Sequence, residues 1–219
     1  MKAFHLSGLL LLAAVGASSA QMPTGDEMFR ATASAQARAR AAGLQLRSGS
    51  LWLTALRERT PMVAAYGAGI CHLGYSAYTP GRDYRWLFPP LPPPQRELWL
   101  SAVVQHELAH CAEQASSADR QTGARQDTLA EGVGGVRWRE VLADLAFAVQ
   151  VDSQGADGEP LIRQLAALRA EHRDHDPAHD TSAELLCYLA ARKPEARNDL
   201  DWLETLKAWR ARCYESRGG

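Results

Sequence analysis

Among the seven histidines of this 219-residue chain, His106 and His110 stand four apart around a glutamate, in Gln105-His106-Glu107-Leu108-Ala109-His110-Cys111. The run from Gln95 to Ser117 has no proline or glycine, its apolar residues recur at helical spacing, and Pro92, Pro93 and Pro94 stand at its start. That pattern predicts a helix opened by proline. Residues four apart on a helix lie about 40° apart around the axis and one turn along. His106 and His110 therefore point the same way and can offer two ring nitrogens to one zinc ion. Glu107 stands on the rim beside them, where a free carboxylate can take a proton from a metal-bound water. His-Glu-x-x-His arises by chance in roughly 1% of chains of this composition, so metal binding is the better reading.

Two histidines need a third protein donor if a fourth position is to stay open for water. Downstream candidates are Glu131, Glu140, Asp144 and the histidines His172, His175 and His179. The stretch Trp138-Arg139-Glu140-Val141-Leu142-Ala143-Asp144 puts two carboxylates four apart on one helical face. Glu140 fits as the third ligand. Asp144, one turn on, fits as the acceptor of the outward ring N–H of a ligand histidine, which would fix its tautomer. The plain alternative is a surface pair. It is the weaker one, because Asp144 is flanked by Leu142, Ala143, Leu145, Ala146 and Phe147, where an unpaired carboxylate is costly. Glu131 is the rival third ligand, but no acidic residue follows it one turn later.

His-Glu-x-x-His on one helix followed by Glu-x-x-x-Asp on the next resembles the gluzincin, or thermolysin-like, branch of zinc metallopeptidases. The likeness covers about a fifth of the chain. It implies His106, His110 and Glu140 as zinc ligands, Glu107 as catalytic base and Asp144 as the partner of a ligand histidine. The metzincin pattern asks for a glycine and a third histidine soon after the first pair. Here Cys111-Ala112-Glu113-Gln114-Ala115-Ser116 follows instead. Thermolysin-like enzymes also carry a histidine downstream of the ligand glutamate that stabilises the oxyanion. In Glu171 to Ser182 each histidine has an acidic neighbour, and His179 is the first choice, His175 the second. Tyr75, Tyr78 and Arg85 are further candidates, and a solvated charged loop or a weak second metal site are the plainer accounts of that stretch. In such enzymes the substrate backbone lies along an edge strand beside the metal helix, here expected at Cys71 to Tyr78, with a buried structural hairpin as the alternative reading of that stretch. The implied activity is hydrolysis of a peptide or protein substrate with Zn2+. The reading from another class is a catalytically inactive zincin-like scaffold that serves binding or assembly.

The elements that must position these groups are mostly helical. Thr24-Gly25-Asp26-Glu27 is a capping box opening a helix to about Leu46, and Leu51 to Arg59 reads as a shorter helix stopped before Pro61. Met62 to Thr79, with Gly67, Gly69 and Gly74, suits one or two short strands. Pro89-Pro90-Leu91-Pro92-Pro93-Pro94 reads as a stiff spacer, ahead of the alternative of a polyproline ligand for a partner. Helices are predicted over Arg137 to Val151, Glu159 to Arg173, Ser182 to Lys193 and Leu200 to Tyr214. In the first of these, Val141, Leu142, Leu145, Ala148 and Val149 mark one apolar face. The expected fold class is mainly α with a small β-sheet, zincin-like, with the metal site on two adjacent helices.

Lys2, the apolar run Leu9 to Val15, and small residues up to Ala20 read as a secretory signal over 1–20, followed by a single domain over 21–219. Without Lys2 the balance is 23 basic against 25 acidic residues, a net −2. That charge points to no nucleic acid and no anionic membrane partner, and no run is long enough for membrane insertion. Four cysteines, Cys71, Cys111, Cys187 and Cys213, favour two disulfides in an exported (periplasmic or secreted) protein. A tight hairpin about Pro194 to Asn198 would leave Cys187 and Cys213 roughly eight positions out of register, about 12 Å apart, which disfavours that pair. Cys71 with Cys111 would tether the metal helix.

Overall fold

The computed structural model describes residues 22–50, 61–75, 87–121, 133–153, 155, 158–192 and 201–214. The signal expected at 1–20, the helix expected at Leu51 to Arg59, and Tyr78, Arg85 and Glu131 lie outside the described residues.

Helix α1 (Gly25–Ala41) opens on the expected capping box: Glu27 N–H donates to Thr24 Oγ1 and Thr24 N–H donates to Glu27 Oε2 at 2.7 Å. It ends earlier than the Leu46 predicted from sequence. Gly43 takes φ +72°, a left-handed conformation that stops the helix at little steric cost. Strand β1 (Gln45–Ser50) follows, unforeseen in the sequence. Its signal is slight: Leu44 and Leu46, two apart, both enter the core, while Arg47, Ser48 and Gly49 stay exposed. Strands β2 (Met62–Gly67) and β3 (Ile70–Tyr75) form a hairpin across Ala68-Gly69, with φ +50° and +76° at those two positions. Positive φ at both central residues is the type I′ hairpin turn. The sheet order is β1-β3-β2, with β1 parallel and β2 antiparallel to β3. Residues Cys71 to Tyr75 therefore belong to the central strand, not to an edge.

Helix α2 (Pro93–Gln121) carries His106 and His110, and α3 (Val133–Asp152) carries Glu140 and Asp144. These two make the most extensive helix–helix contact in the molecule, sealed by Trp99 against Phe147 edge-on at 4.8 Å. The single apolar face predicted for α3 is an underestimate. Every residue from Glu140 to Ala148 is buried, as expected of a helix surrounded by other elements. Helix α4 (Gly158–His172), a 3-10 turn (Pro177–His179), α5 (Ser182–Ala191) and α6 (Trp202–Cys213) complete the described chain. No helix among the described residues is long and apolar enough to cross a membrane.

Both disulfides are formed, Cys71–Cys111 with Cα atoms 5.6 Å apart and Cys187–Cys213 with Cα atoms 5.7 Å apart. The second corrects the sequence expectation. Helix α5 stops at Ala191 and α6 starts at Trp202, so the connection is longer than the tight hairpin assumed. Helix α6 packs against α3 more than against α5, which frees it from a side-by-side register with α5. Two disulfides indicate an oxidising environment.

Contacts fix the direction of the sheet over α2. Arg96 pairs with Glu27 at 2.6 Å and Ser101 meets Ser34 at 3.0 Å, so α1 runs parallel to α2. The chain reverses at Gly43, β3 is parallel to β1, and β2 is antiparallel to β3. Strand β2 therefore runs in the same direction as α2, and it lies against that helix more closely than β3 does.

Candidate metal centre

Position around α2 decides what faces what. With about 100° per residue, and His110 set at 0°, His106 falls near −40°, Gln114 near +40°, Glu107 near +60° and Cys111 near +100°. The two histidines face α3. Cys111 is bonded to Cys71 on β3, and Gln114 Oε1 accepts the N–H of Tyr66 on β2 at 3.3 Å. Glu107 lies between the histidines and the sheet, 8% exposed. The outer edge of β2 is thus the edge nearest the metal side, correcting the assignment of that role to Cys71–Tyr78.

Alternate residues of an antiparallel strand turn both main-chain groups toward the partner or away from it. Tyr66 points its N–H outward to Gln114, so Ala64 also presents its N–H and C=O outward. At about 3.3 Å per strand residue and 1.5 Å per helix residue, Ala64 lies roughly four helix positions before Gln114. That places its outward main-chain groups about level with His110.

Across α2 and α3, His106, His110 and Glu140 bring one donor atom each within 4.8 Å of one another, the group among the described residues able to hold a metal ion. His106 Nε2 and His110 Nε2 are 3.3 Å apart. Glu140 Oε2 is 3.5 Å from His106 Nε2, and Glu140 Oε1 is 3.5 Å from His110 Nε2. Donors bound tetrahedrally at the usual zinc bond lengths stand about 3.3–3.6 Å apart, so the spacing fits such an ion. Two further observations agree with a cation at this point. Glu140 Oε2 is buried and receives no aligned hydrogen bond. Asp144 Oδ1 accepts from His106 Nδ1 at 2.8 Å, which places the ring proton on Nδ1 and leaves the Nε2 lone pair facing the cluster.

Asp144 is as the sequence required, buried and fully partnered. Beyond His106 it accepts from Arg169 Nη2 at 2.8 Å and Nε at 2.9 Å, and from Thr181 Oγ1. Burial works to raise its pKa, but the Arg169 charge and the His106 hydrogen bond hold it well below the usual carboxylate range. Neither Arg169 nor Thr181 stood out in the sequence. The only hint was that a carboxylate in so apolar a run must have a cationic partner somewhere.

His179, the first-choice histidine of its stretch, does reach the cluster. Its Nε2 lies 3.3 Å from Glu140 Oε2 and its Nδ1 2.8 Å from Asp176 Oδ2. His175 is exposed and its ring meets that of His172 at 5.5 Å, so those two stand apart from the cluster. Tyr75 directs its hydroxyl toward Gly25 at the start of α1, away from it as well.

The charges of the site separate its carboxylates. Burial pushes Glu107 up to about 7, with the Glu140 charge adding and His106, Arg169 and His179 opposing. Burial also works to raise Glu140, but the close contact with His179 and the nearby His110 and His106 outweigh it and lower Glu140 to about 2. For His179 burial disfavours the imidazolium, yet the contacts with Glu140 and Asp176 raise it to about 9. One carboxyl is poised to exchange a proton near neutrality while its neighbours stay ionised, the separation that acid–base chemistry needs.

No family model, curated protein or solved structure matches this chain.

Proposed function

We propose that this chain is an exported, zincin-like zinc peptidase of the gluzincin kind, cleaving a peptide or protein substrate. The observation that carries the reading is the pairing of a three-donor metal cluster with Glu107, a buried carboxyl raised to about 7 beside it. His106, His110 and Glu140 would hold the ion. Two imidazoles and one carboxylate suit zinc and leave a fourth position free. His179 approaches Glu140 alone and falls outside the group of mutually close donors, which favours an open catalytic site over a closed structural one.

Zinc held by these residues would supply a Lewis acid and would bring the pKa of a water down to about 7. Glu107, as a carboxylate, takes the proton of the attacking water and returns it to the leaving amine. His179, oriented by Asp176, donates from Nε2 to the carbonyl oxygen as negative charge builds there. The substrate backbone adds to the outer edge of β2, pairing with the outward groups of Ala64.

The test is a peptide-library digest with the purified chain beside Glu107→Gln. Cleavage by the wild type, lost in a variant that still carries its metal, is the expected result. Turnover retained by Glu107→Gln refutes the mechanism, and no cleavage by zinc-loaded wild type refutes the peptidase reading.

A further inference from the structure

Four hydrogen bonds converge on the carboxylate of Asp144. Oδ1 accepts from His106 Nδ1 and Arg169 Nη2, and Oδ2 accepts from Arg169 Nε and Thr181 Oγ1. Asp144 is 1% exposed, Arg169 3% and Thr181 0%. A carboxylate has about four lone-pair sites, so every one is taken. Arg169 grips both oxygens side-on, which fixes the plane of the carboxylate as a single-point cation could not. Thr181 then fills the remaining site on Oδ2 and leaves one on Oδ1 for His106.

The same contact ties down a second part of the site. Thr181 precedes α5 directly, and its N–H donates to His179 O at 2.9 Å. His179 reaches Glu140 from that elbow. One carboxylate therefore holds both the imidazole of a metal donor and the chain that carries His179.

We propose that Arg169 and Thr181 are positioning residues of the metal centre, setting its affinity and the place of His179 through Asp144. The inference rests on His106, His110 and Glu140 being metal donors, and not on peptide hydrolysis. Loss of a residue behind a metal ligand typically weakens binding 10–100-fold. A purely structural role would lower the melting temperature and leave the affinity of the folded protein alone.

The experiment is zinc competition against a chromophoric chelator, with visible spectra of the cobalt(II)-loaded protein and melting of the metal-free form. Wild type, Thr181→Val, Thr181→Ser and Arg169→Lys are compared. Thr181→Val is expected to bind zinc about 10–100-fold more weakly and to alter the cobalt bands, while Thr181→Ser restores both. In the metal-free protein the ring-proton NMR signal of His179 should move in Thr181→Val, with those of His172 and His175 unmoved. Arg169→Lys keeps the charge but not the side-on grip, and it carries the test if Thr181→Val does not fold. Unchanged zinc affinity and cobalt spectrum in either folded variant overturn the proposal. A wild type that binds neither metal overturns the metal-site reading beneath it.

Discussion

Nε2 of His179 stands 3.3 Å from Oε2 of Glu140, a buried oxygen that is also 3.5 Å from His106 Nε2. Around this contact four carboxylates, Glu107, Glu140, Asp144 and Asp176, face the Arg169 guanidinium and His179, which at about 9 keeps its proton near neutrality. That set is two positive charges short. In the metal-free site a proton on Glu107 (about 7) makes up part of the difference. A divalent cation would make up all of it. Metal binding is therefore expected to release a fraction of a proton at pH 7, and affinity should rise as pH climbs through about 7. Calorimetry in buffers of different ionisation enthalpy measures this. An affinity independent of pH between 6 and 9 would speak against the charge balance.

If the chain is the peptidase proposed above, Gln114 should set the length of substrate that the β2 edge accepts. Its side chain occupies the outward N–H of Tyr66, one pairing position beyond Ala64. In Gln114→Ala that position opens. Substrates long enough to reach it are expected to gain severalfold in kcat/KM, about what one main-chain hydrogen bond contributes, while the shortest cleaved peptides stay unchanged. Kinetics on a length series of one peptide gives the answer.

Ala68 holds φ +50° in the turn of the hairpin. A left-handed alanine costs roughly 1 kcal/mol, and asparagine followed by glycine is the preferred pair for this turn. Ala68→Asn is expected to raise stability by about 0.5–1 kcal/mol, read by denaturant unfolding. A destabilised variant would contradict the turn type.

Acid should loosen the start of α1. The Arg96 guanidinium holds the Glu27 carboxyl down to about 2, from an ordinary value of 4.5. A depressed folded pKa adds stability that is present above the unfolded pKa and lost as pH falls through the folded one. The contribution of Glu27 is complete above about 5 and vanishes between 4.5 and 2. Melting of Glu27→Gln should lie below wild type near neutrality and converge with it toward pH 2. Parallel curves would show that the pair adds nothing.

The donors of the metal cluster were legible because helix geometry and residue type together specify them. His106 and His110 needed only a helix, and Glu140 with Asp144 needed only a second one. Strand β1 was hidden because its pairing to β3 is non-local and only Leu44 and Leu46 mark it. Strand order cannot be read from a hairpin sequence, so the sequence alone leaves Cys71–Tyr78 as an edge candidate. Among the described residues β1 takes one side of β3 and leaves β2 outermost. Arg169 and Thr181 were invisible for a similar reason: a buried partner is chosen by packing, and nothing local distinguishes this arginine from others on helices. Cys187–Cys213 is not legible locally, because the bond depends on α6 packing more against α3 than beside α5.

The central claim is a metal ion held by His106, His110 and Glu140, and the direct measurement is metal content by mass spectrometry on untagged protein beside Glu140→Ala. About one zinc per wild-type chain, lost from a folded Glu140→Ala variant, is the predicted result. Zinc retained by the variant would contradict the donor set. No zinc in the wild type, even after it is added back, would contradict the metal centre itself.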